Sequence, residues 1–212
     1  MAIVLINPNS TEEMTQSALA AARRTSPGLT FEGWTSAKGP PAIEGEADGR
    51  RAVPPLLELV QKASDGGASA IVIACFDDTG LAEARAIAAC PVIGIGQSSF
   101  VMAGLLADRV TVITTVAAAV PVIEGNIAAS GFAHLVTGVH AANVPVLALE
   151  HSPAEAARGF IAAARALDPA PSLVILGCAG AVTIRAEVSR ALGCPVLDGV
   201  TAAARLCRAF SD

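Results

Sequence analysis

Two of the five cysteines in this 212-residue chain stand in matched surroundings. Cys75 closes the run Ala70-Ile71-Val72-Ile73-Ala74-Cys75, and Cys178 closes Leu173-Val174-Ile175-Leu176-Gly177-Cys178. Fifteen and sixteen residues later come Cys90-Pro91-Val92-Ile93 and Cys194-Pro195-Val196-Leu197, so the matched cysteines are offset by 103 and 104 residues. A thiolate can take a proton from carbon while a facing thiol returns one to the opposite side, and two such groups across a cleft suit inversion of a carbon centre. The loops Phe76-Asp77-Asp78-Thr79-Gly80 and Ala179-Gly180-Ala181 are read as carrying each cysteine to a helix start, where peptide dipoles lower a thiol pKa and free N–H groups suit an enolate oxygen. Asp77 and Asp78 act in the opposite sense on Cys75 unless they point away as caps. A lone cysteine is most often a small buried hydrophobe. The repeated setting separates Cys75 and Cys178 from Cys90 and Cys194, which precede prolines at strand starts, and from Cys207 in the last helix; these three are assigned to packing.

Other polar residues fall at the same strand ends. Asn7 closes the first strand and is expected to turn its amide toward the cleft, with Thr114 and Thr115 at the equivalent place in the second half. Ser10 and Glu13 have the spacing of a helix capping box, so Ser10 and Asn9 are read as structural. Lys38 and Lys62 are the only lysines, and neither sits where a Schiff base would form. His134, His140 and His151 match no metal spacing. There is no P-loop and no G-x-S-x-G elbow, and Gly94-Ile95-Gly96-Gln97-Ser98-Ser99 lacks the third glycine of a dinucleotide fingerprint. The chemistry left is free of cofactors and metals.

The elements that must position these groups are short apolar runs alternating with Ala-rich stretches of helical period, the pattern of βα units and parallel sheets. Strands are expected at Ala2–Ile6, Leu29–Trp34, Ala70–Cys75, Val92–Ile95, Val110–Thr114, within Leu135–Leu149, at Leu173–Leu176 and at Val196–Asp198. Helices are expected at Glu12–Arg24, Ala52–Lys62, Ala82–Ala89, Pro153–Arg165 and Ala202–Arg208, and loops at Ser36 to Asp48 and His140 to Pro145. The half-length repeat, which also aligns Ile3-Val4-Leu5-Ile6-Asn7 with Thr111-Val112-Ile113-Thr114-Thr115, predicts an α/β fold of two pseudo-twofold lobes. Residues 1–108 and 109–212 would each hold a roughly four-stranded parallel sheet, with the C-terminal helix packing across and the site in the cleft between them. Eight βα units could also close as a barrel, but the chain is near the lower limit for one.

Composition agrees. Apolar residues make up 53% of the chain, with six Phe, one Trp and no Tyr, as in sheets covered on both faces rather than sandwiches. Fourteen Lys and Arg against nineteen Asp and Glu leave a net charge of −5 and no basic stripe for a nucleic acid. The longest apolar run, Val110 to Ile123, is too short to span a membrane. The absence of a basic leader and an odd cysteine count without C-x-x-C lead to the expectation of a cytoplasmic protein.

Five segments in order carry a resemblance: Asn7-Pro8-Asn9-Ser10-Thr11, Gly39-Pro40-Pro41-Ala42-Ile43-Glu44, Ala74-Cys75-Phe76-Asp77-Asp78-Thr79-Gly80-Leu81, Pro91-Val92-Ile93-Gly94-Ile95-Gly96-Gln97 and Leu176-Gly177-Cys178-Ala179-Gly180. Over nearly the whole chain they resemble the hydantoin and allantoin racemase branch of the aspartate/glutamate racemase superfamily. The resemblance implies Cys75 and Cys178 as catalytic residues, no cofactor, a small-molecule substrate and a homo-oligomer. Amino-acid racemases of the superfamily follow the first cysteine with Asn-Thr and the second with Thr. Phe76-Asp77 and Ala179-Gly180 stand there here and suit a neutral ring whose polar atoms pair with main chain. Thr79 and Ala181 replace the Pro and Met common in hydantoin racemases. The alternatives in the superfamily are an aspartate/glutamate-type racemase, a maleate cis-trans isomerase, and a malonate decarboxylase, against which Cys75 counts. A thiol switch or ligand-binding protein is the non-enzymatic alternative; a switch disulfide would need Cα atoms within about 7 Å.

Overall fold

The computed structural model describes residues 1–210. Its eight strands are β1 (Ile3–Asn7), β2 (Phe31–Thr35), β3 (Ala70–Ile73), β4 (Val92–Gly94), β5 (Val110–Thr114), β6 (Val136–Ala141), β7 (Val174–Gly177) and β8 (Val196–Asp198). They form two four-stranded parallel sheets, ordered β2-β1-β3-β4 and β6-β5-β7-β8. Each sheet is thus a copy of the other, and the two central strands of each, β1 with β3 and β5 with β7, are buried along their whole length. Burial on both faces is what unbroken Val/Ile/Leu runs require. The edge strands β2 and β6 are only partly covered, which is why their sequences read less clearly.

The helices are α1 (Glu12–Thr25), α2 (Glu46–Asp65), α3 (Leu81–Ile87), α4 (Ile95–Gly104), α5 (Val120–Ala129), α6 (Ala148–His151), α7 (Pro153–Arg165), α8 (Arg185–Leu192) and α9 (Gly199–Leu206). One core cluster runs through both halves, from Leu5 and Phe31 to Val112, Ile175 and Val200, with Phe100 of α4 inside it. Outer clusters cover the far face of each sheet: Leu56, Val60 and Ala84 of α2 and α3 on one side, Ala157, Phe160 and Val188 of α7 and α8 on the other. In the middle layer α9 packs against α1 and α4. Its approach is close enough that a Cβ at Gly199 would stand 2.6 Å from the Ile95 carbonyl oxygen, so only glycine fits there. No helix among the described residues is long and apolar enough to cross a membrane.

Several local expectations are corrected. α2 starts at Glu46, six residues before Ala52 and inside the stretch read as loop: Gly45, at φ 124°, breaks the chain just before it, and Glu46 and Asp48 supply acid to its first turn. His140 and Ala141 belong to β6 rather than a loop, because β5 continues to Thr114 and pairs with them. α9 begins at Gly199, three residues earlier than expected, with Asp198 accepting the Thr201 N–H at 2.8 Å as its cap. Ser10 and Glu13 form no capping box; Thr11 holds the cap position and its N–H is taken by Asn9 Oδ1 at 2.9 Å.

Candidate active site

Parallel strands deliver whatever follows their C-terminal ends to one edge of the sheet. Cys75 lies two residues beyond β3 and Cys178 one residue beyond β7. The sheets face so that both cysteines line one narrow cleft, partly open to solvent, together with Phe76, Asp77, Thr114, Thr115 and Ala179. Its wall is largely apolar, with Met14, Ile43, Ile123 and Val146 added from four other segments. Among the described residues no Lys, Arg or His lines it.

The two thiols are held differently. The Cys75 thiol donates to Asp77 Oδ1 at 2.9 Å, and Thr79 Oγ1 donates to the same oxygen at 2.5 Å while lying 3.6 Å from the sulfur. Asn126 reaches across from α5 to donate its amide to the Asp77 carbonyl. Burial pushes the Cys75 thiol well above its usual range, and the Asp77 charge and hydrogen bond push it further. Cys178 is 8% exposed and starts a 3₁₀ turn over Ala179–Thr183. Burial pushes its thiol up to about 12; backbone N–H groups of Gly180 and Ala181 pull it back, while Asp77 and Glu150 add negative charge.

The expected lowering by helix starts is therefore corrected. α3 begins only at Leu81, too far from Cys75 to act, and one short 3₁₀ turn beside Cys178 does not offset desolvation. Asp78 does point away, as a cap. At φ 49° it turns its carboxylate to the start of α4, accepting from Gly96 N at 3.0 Å and Gln97 N at 2.7 Å. Burial raises it to about 7, with those two hydrogen bonds working against the shift. A Cβ at Gly94 would meet Asp78 Oδ1 at 2.0 Å, and one at Gly96 would meet the Phe76 carbonyl at 2.1 Å. The Gly94-Ile95-Gly96 pattern thus makes room for a side-chain carboxylate and a neighbouring main chain, not for a pyrophosphate.

Asn7 does not line the cleft, contrary to expectation. Its Nδ2 donates to Asn9 Oδ1 (2.8 Å), Thr11 O (3.1 Å) and Thr15 Oγ1 (3.1 Å), and its Oδ1 accepts Asn9 N–H at 3.2 Å, so the amide ties the β1–α1 turn together. Asn9 is structural as expected, its Oδ1 accepting from Asn7 and Thr11 and its Nδ2 donating to Met14 Sδ at 3.2 Å, and it is also the amide that lines the cleft. Thr114 Oγ1 donates to the Gly177 carbonyl at 2.9 Å, fixing β5 to β7. Thr115, 2% exposed, has no side-chain partner among the described residues and is the uncommitted hydroxyl of the lining. Phe76 packs edge-on against Phe100, their centroids 5.8 Å apart. Gly180 does not line the cleft; it serves through its N–H on Cys178. Met14, Ile43, Asn126, Val146 and Glu150 were not anticipated, since each reaches the region from an element distant in sequence. Among the described residues no group of three or more His, Cys, Asp or Glu side chains comes together as metal ligands do.

Comparison with known proteins agrees with this architecture. The profile of the family described as Asp/Glu/Hydantoin racemase matches residues 3–207. A hydantoin racemase of Rhizobium meliloti is 42% identical over 99% of this chain and 88% of that protein. One from Pseudomonas sp. (strain NS671) is 33% identical over 100% and 86%. The solved structure of an allantoin racemase from Klebsiella pneumoniae superposes with a TM-score of 0.93 at 33% identity, covering 100% of this chain and 87% of that one.

Proposed function

This chain belongs to the Asp/Glu/hydantoin racemase family and is an isomerase of the racemase type, and we propose that it inverts C5 of a 5-substituted hydantoin or of allantoin by proton transfer between Cys75 and Cys178. The observation that carries this reading is the presence of both thiols, from equivalent strand ends of two sheets, on the walls of one small cleft. In each turnover one cysteine is thiolate and the other thiol. The thiolate takes the C5 proton, breaking C–H and forming S–H; the electron pair passes into the ring as an enolate; the facing thiol gives its proton to the opposite face of C5. The thiolate has then moved from one cysteine to the other.

The raised thiol pKa values fit this work. A thiolate whose acid form titrates near 12, as at Cys178, is a stronger base toward carbon than an ordinary thiolate. Asp77 Oδ1, 2.9 Å from the Cys75 sulfur, accepts its S–H and holds that thiol in position. In this reading Asp77 serves Cys75 rather than the substrate.

The lining supports a neutral ring as substrate. A free amino acid would bring a carboxylate into a cleft that, among the described residues, is lined by Asp77 and by no Lys, Arg or His, and burying an unpaired charge is costly. A hydantoin ring brings neutral carbonyl and N–H groups, for which Thr115 Oγ1 and the main chain are available, and its C5 substituent would lie against Met14, Ile43 and Val146. Decay of circular dichroism on single enantiomers tests this: 5-alkylhydantoins or allantoin should racemise and L-aspartate should not. Decay with aspartate alone would overturn the substrate assignment. The cytoplasm and a homo-oligomer remain part of the proposal.

A further inference from the structure

Each cysteine needs a hydrogen-bond donor once it has lost its proton, and the two loops provide for this differently. A thiolate at Cys178 has the N–H groups of Gly180 and Ala181. Around Cys75 the main-chain donors are already spent: the Asp78 N–H goes to the Cys75 carbonyl at 3.1 Å, and those of Gly96 and Gln97 go to the Asp78 carboxylate. Among the described residues the one donor that reaches the Cys75 sulfur is the Thr79 hydroxyl, 3.6 Å away. Backbone conformation holds it there, since Asp78 at φ 49° and Gly80 at φ 68° turn the chain and bring residue 79 back beside residue 75. The hydroxyl has one proton to give and two acceptors within reach, the second being Asp77 Oδ1 at 2.5 Å. A thiol sulfur is a weak acceptor and a carboxylate a strong one, so while Cys75 is protonated the hydroxyl belongs to Asp77. Loss of the S–H proton changes the demand. It leaves a negative charge on an atom 2.9 Å from Asp77 Oδ1, and a buried charge without a hydrogen bond is costly.

We propose that Thr79 is a catalytic residue of the Cys75 half of the reaction: its hydroxyl donates to Asp77 Oδ1 while Cys75 is a thiol and turns its proton to the sulfur when Cys75 is a thiolate. The O–H bond of Thr79 stays intact throughout, and the hydroxyl hydrogen swings from one acceptor to the other. Thr79 thus does for Cys75 what two main-chain N–H groups do for Cys178. Burial, then Asp77, and Cys178 across the cleft all push the Cys75 thiol upward, and the Thr79 hydroxyl acts the other way. The inference rests on the two-cysteine reading above and concerns how its first thiolate is supported.

The experiment places Thr79→Val, which keeps the shape and removes the hydroxyl, and Thr79→Ser, which keeps the hydroxyl, in the full chain and in the two single-cysteine variants. In Cys178→Ser, where Cys75 is the remaining base, Thr79→Val should slow exchange of the C5 hydrogen for deuterium by about ten- to a hundredfold, the worth of one hydrogen bond to a charged group. Thr79→Ser should restore it. In Cys75→Ser, where Cys178 acts, Thr79→Val should leave exchange unchanged, which also shows that the variant folds. The pH profile of iodoacetamide alkylation at Cys75, followed in Cys178→Ser by mass spectrometry of the peptide that holds it, should move to higher pH with Thr79→Val. A hydroxyl that only holds Asp77 in place predicts the reverse, because a released carboxylate no longer holds the thiol up; a move to lower pH, or none, overturns the inference. So does unchanged exchange in Cys178→Ser, or equal loss in both backgrounds. Alkylation needs no substrate and decides alone if the single-cysteine variants do not exchange. Absence of racemisation and exchange in the parent protein would instead overturn the two-cysteine reading, a distinct result.

Discussion

The surroundings of Cys75 and Cys178 differ far more than the two sheets that carry them. Both cysteines follow the third strand of a β2-β1-β3-β4-type sheet, and both are raised by burial. Yet Cys75 meets a carboxylate and a hydroxyl from its own loop, Asp77 and Thr79, while Cys178 meets backbone N–H groups of a 3₁₀ turn and feels the charge of Glu150 from a separate helix. A duplicated scaffold sets where the thiols stand; the loops set what each has as proton partner. Racemisation needs the first to be symmetric, because one carbon must be reached from both faces. It does not need the second to be so.

The largest test of this contrast removes the thiols. Cys75→Ser and Cys178→Ser should each lower racemisation by about 10³-fold or more, the scale of losing a general acid or base, as followed by circular dichroism. Each should retain deuterium exchange at C5 for one enantiomer, and a different one in each. If both exchange the same enantiomer, the thiols do not serve opposite faces.

A smaller effect is expected from Asp77→Asn, which removes the acceptor of the Cys75 proton and its charge. Turnover should fall by about 10²-fold, while alkylation of Cys75 in the Cys178→Ser background shifts to lower pH, since both Asp77 contributions hold that thiol up. Turnover at the parent rate would leave Thr79 as the sole partner and erase the contrast between the two sides.

The smallest expected effect concerns the link between the Cys75 loop and α4. Asp78 sits at about 7 in the folded chain against about 3.9 when unfolded. The folded state therefore binds the proton more tightly, so this residue's contribution to stability falls as pH rises from about 4 through 7, by an amount on the order of 4 kcal/mol. Urea unfolding at pH 5 and pH 8 should show a loss in the parent that shrinks in Asp78→Asn. Equal losses in both proteins would show that the Asp78 carboxylate is not the titrating group.

Much of the architecture was legible in the sequence because burial on two faces demands it. Central strands must be apolar without interruption, as Ala70–Ile73 and Val174–Gly177 are, and a duplicated sheet repeats that demand at half-length. Matched strand ends then bring Cys75 and Cys178 to one edge by topology alone. Choices made by polar atoms were not legible. Asn7 and Asn9 are two residues apart in one turn, and which amide reaches the cleft depends on Thr11 and Thr15 capturing the other. The capping box failed because Thr11, one residue beyond Ser10, holds the cap position of α1, its own N–H taken by Asn9 Oδ1.

What the sequence by itself determined is therefore the pair of parallel sheets and the two thiols at their corresponding ends, since alternation of strand and helix and the repeat of a motif are properties of the chain. Only the tertiary structure decided how each thiol is charged and partnered. Desolvation depends on everything packed around a group, and Asn126, Met14 and Glu150 arrive from helices that sequence distance does not connect to the cysteines they surround.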